Sequence, residues 1–230
     1  MLDNIFEFLG LAESKKKIET KLHCYCLGLD VVEYSKRTTD VQAAIIDKIN
    51  NAILKSIALR DIERENLIFL PTGDGVIICL LGTYSNPLVL IQLARELHKY
   101  LKEEYEKFDE EERFAVRIGL HSGTGALITD INGRRNIAGA VVNMTQRIMD
   151  KGDDWHILAS KNAFDDIATM DKNVRKDFYS LGFGEVKHKI TIEFYNVFCC
   201  SADPYGNENR PTGILQAYTK VETGSETPTE

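Results

Sequence analysis

Between Leu22 and Val32 the chain reads Leu-His-Cys-Tyr-Cys-Leu-Gly-Leu-Asp-Val-Val, a near-continuous apolar run broken near its end by one carboxylate, Asp30. A run this apolar belongs inside a sheet, so the fold must be built around it. Thr39 and Gln42 then have the form of a capping box, and Val41, Ile45, Ile49, Ala52, Ile53 and Ile57 repeat at helical spacing. Asn66 to Leu70 and Gly75 to Leu81 read as two strands joined through Pro71-Thr72-Gly73-Asp74, a turn-rich connection. Asn86-Pro87 is a cap followed by proline at the first helical position, and Leu90, Ala94, Leu97, Leu101, Tyr105 and Phe108 carry a second helix. The charged run from Glu103 to Arg113 is the solvated end of that helix and its loop.

Further on, Phe114 to His121 and Gly125 to Ile131 read as two strands, Ala140 to Met149 as a helix, and His156 to Ala159 as a short strand. Tyr179 to Val186 and Ile190 to Phe198 form a closing hairpin. The order β-α-β-β-α-β predicts an α+β, ferredoxin-like sandwich with helices on one face of a mainly antiparallel sheet, extended by a C-terminal helix and a β-hairpin. Three segments follow: an N-terminal amphipathic stretch over 1–20 with Leu2, Ile5, Phe6 and Leu9, a domain over 21–200, and a polar tail over 201–230 expected to be disordered.

Composition closes off several classes of function. With 28 Lys+Arg against 35 Asp+Glu over 230 residues, the net charge is −7 and the pI about 5.4, the wrong sign for a dedicated nucleic-acid binder. No apolar run approaches the ~20 residues of a membrane span. Lys15, Lys16 and Lys17 follow the first apolar stretch, the reverse of a signal peptide, so a soluble, cytoplasmic protein is expected. The five cysteines, Cys24, Cys26, Cys79, Cys199 and Cys200, have neither disulfide-framework nor zinc spacing and read as free thiols of a reducing compartment. The histidines show no metal-ligand spacing either.

Chemistry is carried by three pieces. Asp30 ends the first strand and Asp74 sits in the turn Thr72-Gly73-Asp74-Gly75. If their strands are neighbours, the two carboxylates converge at one end of the sheet. Carboxylates without His or Cys suit hard cations, and two such ions form the usual clamp for phosphoryl chemistry. Asn143 and Arg147 lie four apart and share one helix face, where an amide and a guanidinium hold a ribose and a phosphate. Taken singly, each has an ordinary reading: a turn aspartate, a strand-end aspartate, a solvent-facing helix pair.

In combination they resemble a known family. Asp30-Val-Val-Glu-Tyr-Ser resembles the D-I-x-G-F-S/T segment of class III nucleotidyl cyclases, and Thr72-Gly73-Asp74-Gly75 their second metal segment. Val116-Arg-Ile-Gly-Leu-His-Ser-Gly123 is similar to their V-R-I-G-I/L-H-S/T-G strand and turn. Ala140-Val-Val-Asn143-Met-Thr-Gln-Arg147 is similar to their x-V-N-x-A-x-R helix, with Thr145 for the usual Ala. Order and spacing agree over roughly 22–198. The resemblance implies two divalent cations, Mn²⁺ or Mg²⁺, held by Asp30, Asp74 and the Val31 carbonyl. It implies Asn143 on the ribose, Arg147 on the α-phosphate, and a triphosphate lysine in Gly184-Glu-Val-Lys187-His-Lys189, where Lys189 fits when counted from Gly184 and Lys187 when counted back from Tyr195. It further implies a head-to-tail homodimer whose sites each draw residues from both chains.

At the base-reading positions the chain departs from the family. Adenylate cyclases typically place a Lys three residues before the Gly of G-D, with Asp or Thr seven before the helix Asn; guanylate cyclases tend to place Glu and a small polar residue there. This chain has Leu70 and Asn136. Leu70 offers no hydrogen bond, whereas the Asn136 amide both donates and accepts. Tyr34 replaces the usual Phe and reads either as a base contact or as core. A cyclase domain with non-purine base positions resembles the pyrimidine cyclases of bacterial anti-phage (Pycsar) systems. The expected substrate order is UTP, then CTP, then ATP. The competing class is a non-catalytic nucleotide-binding or dimerisation module, which retention of Asp30, Asp74, Asn143 and Arg147 disfavours.

Overall fold

The computed structural model describes residues 19–60, 62–82 and 86–214. The N-terminal stretch thus falls outside the described residues except for its last two positions, and so does 215–230 of the tail.

Strand β1 (Glu19–Val31) is the spine of the molecule. Its alternation sends Leu27, Leu29 and Val31 to one face of the sheet, and Cys24, Cys26, Gly28 and Asp30 to the other. Strands β2 (Leu67–Pro71), β3 (Gly75–Leu81), β4 (Val116–Thr129), β5 (Arg135–Ala138), β6 (Ile157–Ser160), β7 (Phe178–Val186) and β8 (Ile190–Val197) complete one sheet. Its order is β2-β3-β1-β4-β6-β8-β7, with β5 also on β4. Every pairing is antiparallel except β4 with β6.

Helices α1 (Thr39–Leu59) and α2 (Leu88–Glu104) cover the first face, as a βαββαβ unit requires. Ile45, Ile49 and Ile53 of α1 and Leu90, Ala94, Leu97 and Leu101 of α2 pack on Leu27, Leu29, Ile118 and Leu120 in one core. Helix α4 (Lys161–Met170) adds Ala163, Phe164 and Ile167 to that core, with the Ser160 hydroxyl capping its start by accepting from the Ala163 N–H at 3.3 Å. Helix α3 (Ala140–Met149) takes the opposite face. There a methyl on Gly28 would meet Thr145 and Met149 at 3.1 Å, and one on Gly119 would meet the Met149 backbone nitrogen at 2.6 Å. Helix and sheet therefore touch almost backbone to backbone at Gly119, and through the Thr145 and Met149 side chains at Gly28.

Four expectations are corrected. The two strands read over Phe114–His121 and Gly125–Ile131 are one strand, β4. The glycines of Ser122-Gly123-Thr124-Gly125 make no turn because β1 pairs across them, from Tyr25 opposite Ser122 to Leu22 opposite Gly125. The turn comes later, where the Asp130 carboxylate accepts from the N–H groups of Asn132 and Arg134 at 2.8 and 2.9 Å and leads into β5.

The capping box does not form. Thr38 is the cap of α1 and makes no side-chain bond to it, while the Gln42 amide donates to the carbonyls of Tyr34 and Arg37 at 3.2 and 3.1 Å. The second helix stops at Glu104, short of Tyr105 and Phe108, and Phe108 folds back to stack on Phe114 at 5.8 Å. Finally, residues 201–214 pack against the domain instead of leaving it. Tyr205 and Ile214 are buried, and Arg210 donates to the carbonyls of Ile214 and Leu181, both at 3.0 Å.

The remaining capping signal is present: the Asn86 carboxamide oxygen accepts from the Leu88 N–H at 2.9 Å. Cys24, Cys26 and Cys79 are buried free thiols, Cys26 and Cys79 facing each other across β1 and β3 with sulfurs 2.9 Å apart. Burial pushes the Cys24 thiol up to about 11, which leaves it protonated and inert. No helix among the described residues is long and apolar enough to cross a membrane.

Candidate active site

Adjacency of β1 and β3 decides how the carboxylates meet. Asp30 lies opposite Gly75 in the register, so the Asp74 turn abuts the end of β1. The Val31 N–H donates to the Asp74 carbonyl at 3.1 Å, and the Thr72 N–H to the Gly75 carbonyl at 3.1 Å, fixing the turn. Only glycine fits at 75, since a methyl there would lie 2.0 Å from the Leu29 carbonyl oxygen. Gly73 adopts φ +99, open to glycine without strain.

Asp30 is 3% exposed, a carboxylate placed where water does not reach it. Its Oδ2 accepts from Arg117 Nε at 2.9 Å and lies 2.8 Å from Nη2, while Oδ1 is buried without any hydrogen-bond partner among the described residues. Burial pushes the carboxyl up to about 6; Arg117 pulls it down and Asp74 pushes it up again, but burial dominates. One cation is thus too few for this pair. An orphaned anionic oxygen beside a second carboxylate, with no His or Cys at hand, fits a hard divalent cation. Among the described residues no three His, Cys, Asp or Glu side chains form a closed metal cage.

Arg117 is the residue that sequence reasoning left without a role. It sits on β4 opposite Asp30 and reaches on to the carbonyl of Asp150 at 3.4 Å and its carboxylate at 3.5 Å, at the C-terminus of α3. Its place in Val-Arg-Ile-Gly was visible, but a charge inside an apolar strand identifies its partner only once the register is known.

On α3, Val141, Thr145, Ile148 and Met149 face inward, and the Thr145 hydroxyl donates back to the Val141 carbonyl at 2.9 Å. Asn143 is exposed and Arg147 half-buried. Neither side chain makes a hydrogen bond or an ion pair among the described residues, so both are free to meet a ligand or a second chain. Leu70 is half-buried against the cluster of Cys24, Cys26, Ile68 and Ile77, and Asn136 lies on β5 opposite Ile128. Tyr34 packs on the core beneath α1, with its hydroxyl 3.5 Å from the Gln42 carbonyl. Lys187 and Lys189 are exposed in the short turn between β7 and β8, where Lys189 holds a left-handed φ of 56. The structure thus brings Asp30, Asp74 and Val31 together and places Asn143 and Arg147 side by side, with Arg117 reaching from the first group to the end of α3.

Several solved structures that share this arrangement of strands and helices are of cyclases. The crystal structure of the guanylyl cyclase Cya2 matches with a TM-score of 0.63 at 14% identity, over 78% of this chain and 93% of that one. The adenylyl cyclase CyaB from P. aeruginosa matches with a TM-score of 0.63 at 14% identity, over 80% and 97%. The adenylate/guanylate cyclase/hydrolase from Silicibacter pomeroyi matches with a TM-score of 0.60 at 22% identity, over 77% and 97%. This chain has the cyclase fold. No protein-family model and no curated protein sequence matches it. In this chain the end of β1 and the β2–β3 turn bear the two carboxylates, and α3 bears the Asn143 amide and the Arg147 guanidinium.

Proposed function

We propose that the protein is a nucleotidyl cyclase of class III that converts UTP to 3′,5′-cyclic UMP and pyrophosphate, with CTP and then ATP as the alternative substrates. The observation that supports it best is the buried Asp30 carboxylate, with one oxygen unpartnered, adjoining Asp74 at the end of the sheet.

The ribose 3′-oxygen forms a bond to the α-phosphorus, the α–β bridge breaks, and pyrophosphate carries away the electron pair while the 3′-OH proton passes to solvent. Asp30, Asp74 and the Val31 carbonyl would hold divalent cations, which would supply Lewis acidity for the 3′-oxygen and charge for the triphosphate. Arg117 holds the Asp30 carboxylate in place. Asn143 orients the ribose, and Arg147 meets the charge that grows on the α-phosphate. Lys189, or Lys187 in the same turn, binds the triphosphate. The carboxylates of one chain work with the Asn143–Arg147 pair of another, in a homodimer of two shared sites.

The pyrimidine assignment rests on Leu70 and Asn136. Leu70 lies in an apolar cluster and leaves a purine edge unpaired, whereas the Asn136 amide serves either pyrimidine. A cytoplasmic second-messenger role in anti-phage defence follows from the same resemblance.

The test is one incubation of the full chain with Mn²⁺ and equal ATP, GTP, CTP and UTP, with products identified by mass spectrometry. Dominant cyclic UMP is expected. Dominant cyclic AMP keeps the chemistry and overturns the account of the base; nucleotide binding without pyrophosphate release leaves a binding module. Asp30→Ala and Asp74→Ala are each expected to abolish turnover, and a fully active single variant overturns the carboxylate assignment.

A further inference from the structure

A cavity of about 640 Å³ lies at the β2 edge of the sheet, between α1 and the β4–β5 turn. Its walls are apolar, with Ile49 and Ile53 from α1 and Phe69 from β2, and Arg64, Arg134 and Arg135 also line it. The volume is that of a small-molecule site, for which ~300–1,000 Å³ is typical. None of these three arginines makes an ion pair among the described residues. The three guanidiniums are exposed at the mouth of the cavity, where only the Asp130 carboxylate acts on Arg134, so their charge is open to an anion from outside.

The site is built before a ligand arrives. The Arg135 guanidinium donates to the Glu65 carbonyl at 2.8 Å, tying the β4–β5 turn to the start of β2. The Arg64 guanidinium lies over the Phe69 ring at 5.5 Å, beside the apolar wall that this ring forms. Arg134 follows the Asp130 turn and projects with no side-chain hydrogen bond among the described residues. A fork of planar donors beside apolar walls suits a carboxylate or phosphate with an extended apolar body.

We propose that this cavity binds a single-chain amphiphilic anion, its apolar body on Ile49, Ile53 and Phe69 and its acidic head on Arg64, Arg134 and Arg135. The inference is independent of the cyclase reading, because none of these residues belongs to the carboxylate or Asn143–Arg147 groups. The cavity does reach Gly73 and Gly75, which flank Asp74, so an occupant also braces that turn.

Isothermal titration of the full chain with dodecanoate, dodecyl phosphate and dodecanol, each below its micelle concentration, tests the proposal. Both anions are expected to bind at one site per chain and dodecanol at least tenfold more weakly; the ratio of the two anions identifies the preferred head group. The double variant Arg64→Ala, Arg134→Ala, whose guanidiniums make no hydrogen bond to the protein, is expected to lose at least tenfold for either anion while keeping its circular dichroism spectrum. Absence of binding by wild type, equal binding of dodecanol, or unchanged binding by a folded double variant overturns it. Cyclase turnover enters none of these readouts, so failure here leaves the proposed function standing.

Discussion

Three buried titratable side chains, His98, His121 and Asp30, respond to mild acid with opposite signs. His98 and His121 are 4% and 9% exposed, and burial pushes each down to about 4, with Lys102 adding to the effect at His98 and His23 at His121. The His98 Nδ1 accepts from the Gly206 N–H at 3.4 Å, so a proton added at that nitrogen would break the bond and face a donor. Between pH 6.5 and about 4 the unfolded chain binds protons that folded His98 and His121 refuse, and stability falls as the pH falls. Asp30, raised to about 6, does the reverse: below that pH the folded state takes its proton first, and stability rises. From pH 7 to pH 5 each histidine costs about 2 kcal/mol and Asp30 returns about 1 kcal/mol, a net loss of about 2–3 kcal/mol. Denaturant melts at the two pH values are expected to show this loss, His98→Leu to remove about 2 kcal/mol of it, and Asp30→Asn to deepen it by about 1 kcal/mol. An unchanged pH slope in His98→Leu contradicts the assignment.

At the level of elements, the backbone contact between α3 and the sheet holds Asn143 and Arg147 in place. Gly119→Ala puts a methyl 2.6 Å from the Met149 nitrogen, a backbone atom that moves only if the helix moves. The expected cost is about 1–3 kcal/mol of stability, with a lower kcat from a displaced Asn143–Arg147 pair. Gly123→Ala, whose nearest neighbour is the His121 ring nitrogen at 3.4 Å, is expected to leave both nearly unchanged. Equal thermal midpoints and turnover for the two variants would rule out this account of α3.

The same elements show what was legible in the sequence. Gly75–Leu81 and Ala140–Met149 agree with the structure residue for residue because their signals, a glycine-bounded apolar run and a short amphipathic repeat, are local. The β4 glycines read as a turn because the pairing that straightens them comes from β1, about a hundred residues earlier. Helix α4 carried too short an apolar pattern to stand out, with only Ala163, Phe164 and Ile167 buried. Asp30 and Asp74 could be brought together from sequence by assuming one strand pairing, which the register bears out, whereas the unpartnered Oδ1 and the reach of Arg117 to Asp150 are facts of three dimensions.

For the whole molecule, the proposed sharing of sites between two chains makes a prediction that no single-chain experiment reaches. An Asp74→Ala chain keeps its Arg147, and an Arg147→Ala chain keeps its Asp74. In an equimolar mixture half the dimers are mixed and each holds one intact site, so about a quarter of wild-type activity is expected from two inactive preparations. Inactivity of the mixture, with mixed dimers verified by native mass spectrometry, contradicts shared sites.

The contact at Gly119 has one last consequence, for how such a chain tolerates change. Core layers built of side chains drift through successive repackings, each residue yielding a little to its neighbours. At Gly119 no such compliant layer separates α3 from the central strands, so repacking among the isoleucines and leucines of the far face does not reach that point of contact. The helix is buffered against most of the sequence and exposed to failure at one position that has no smaller residue to retreat to.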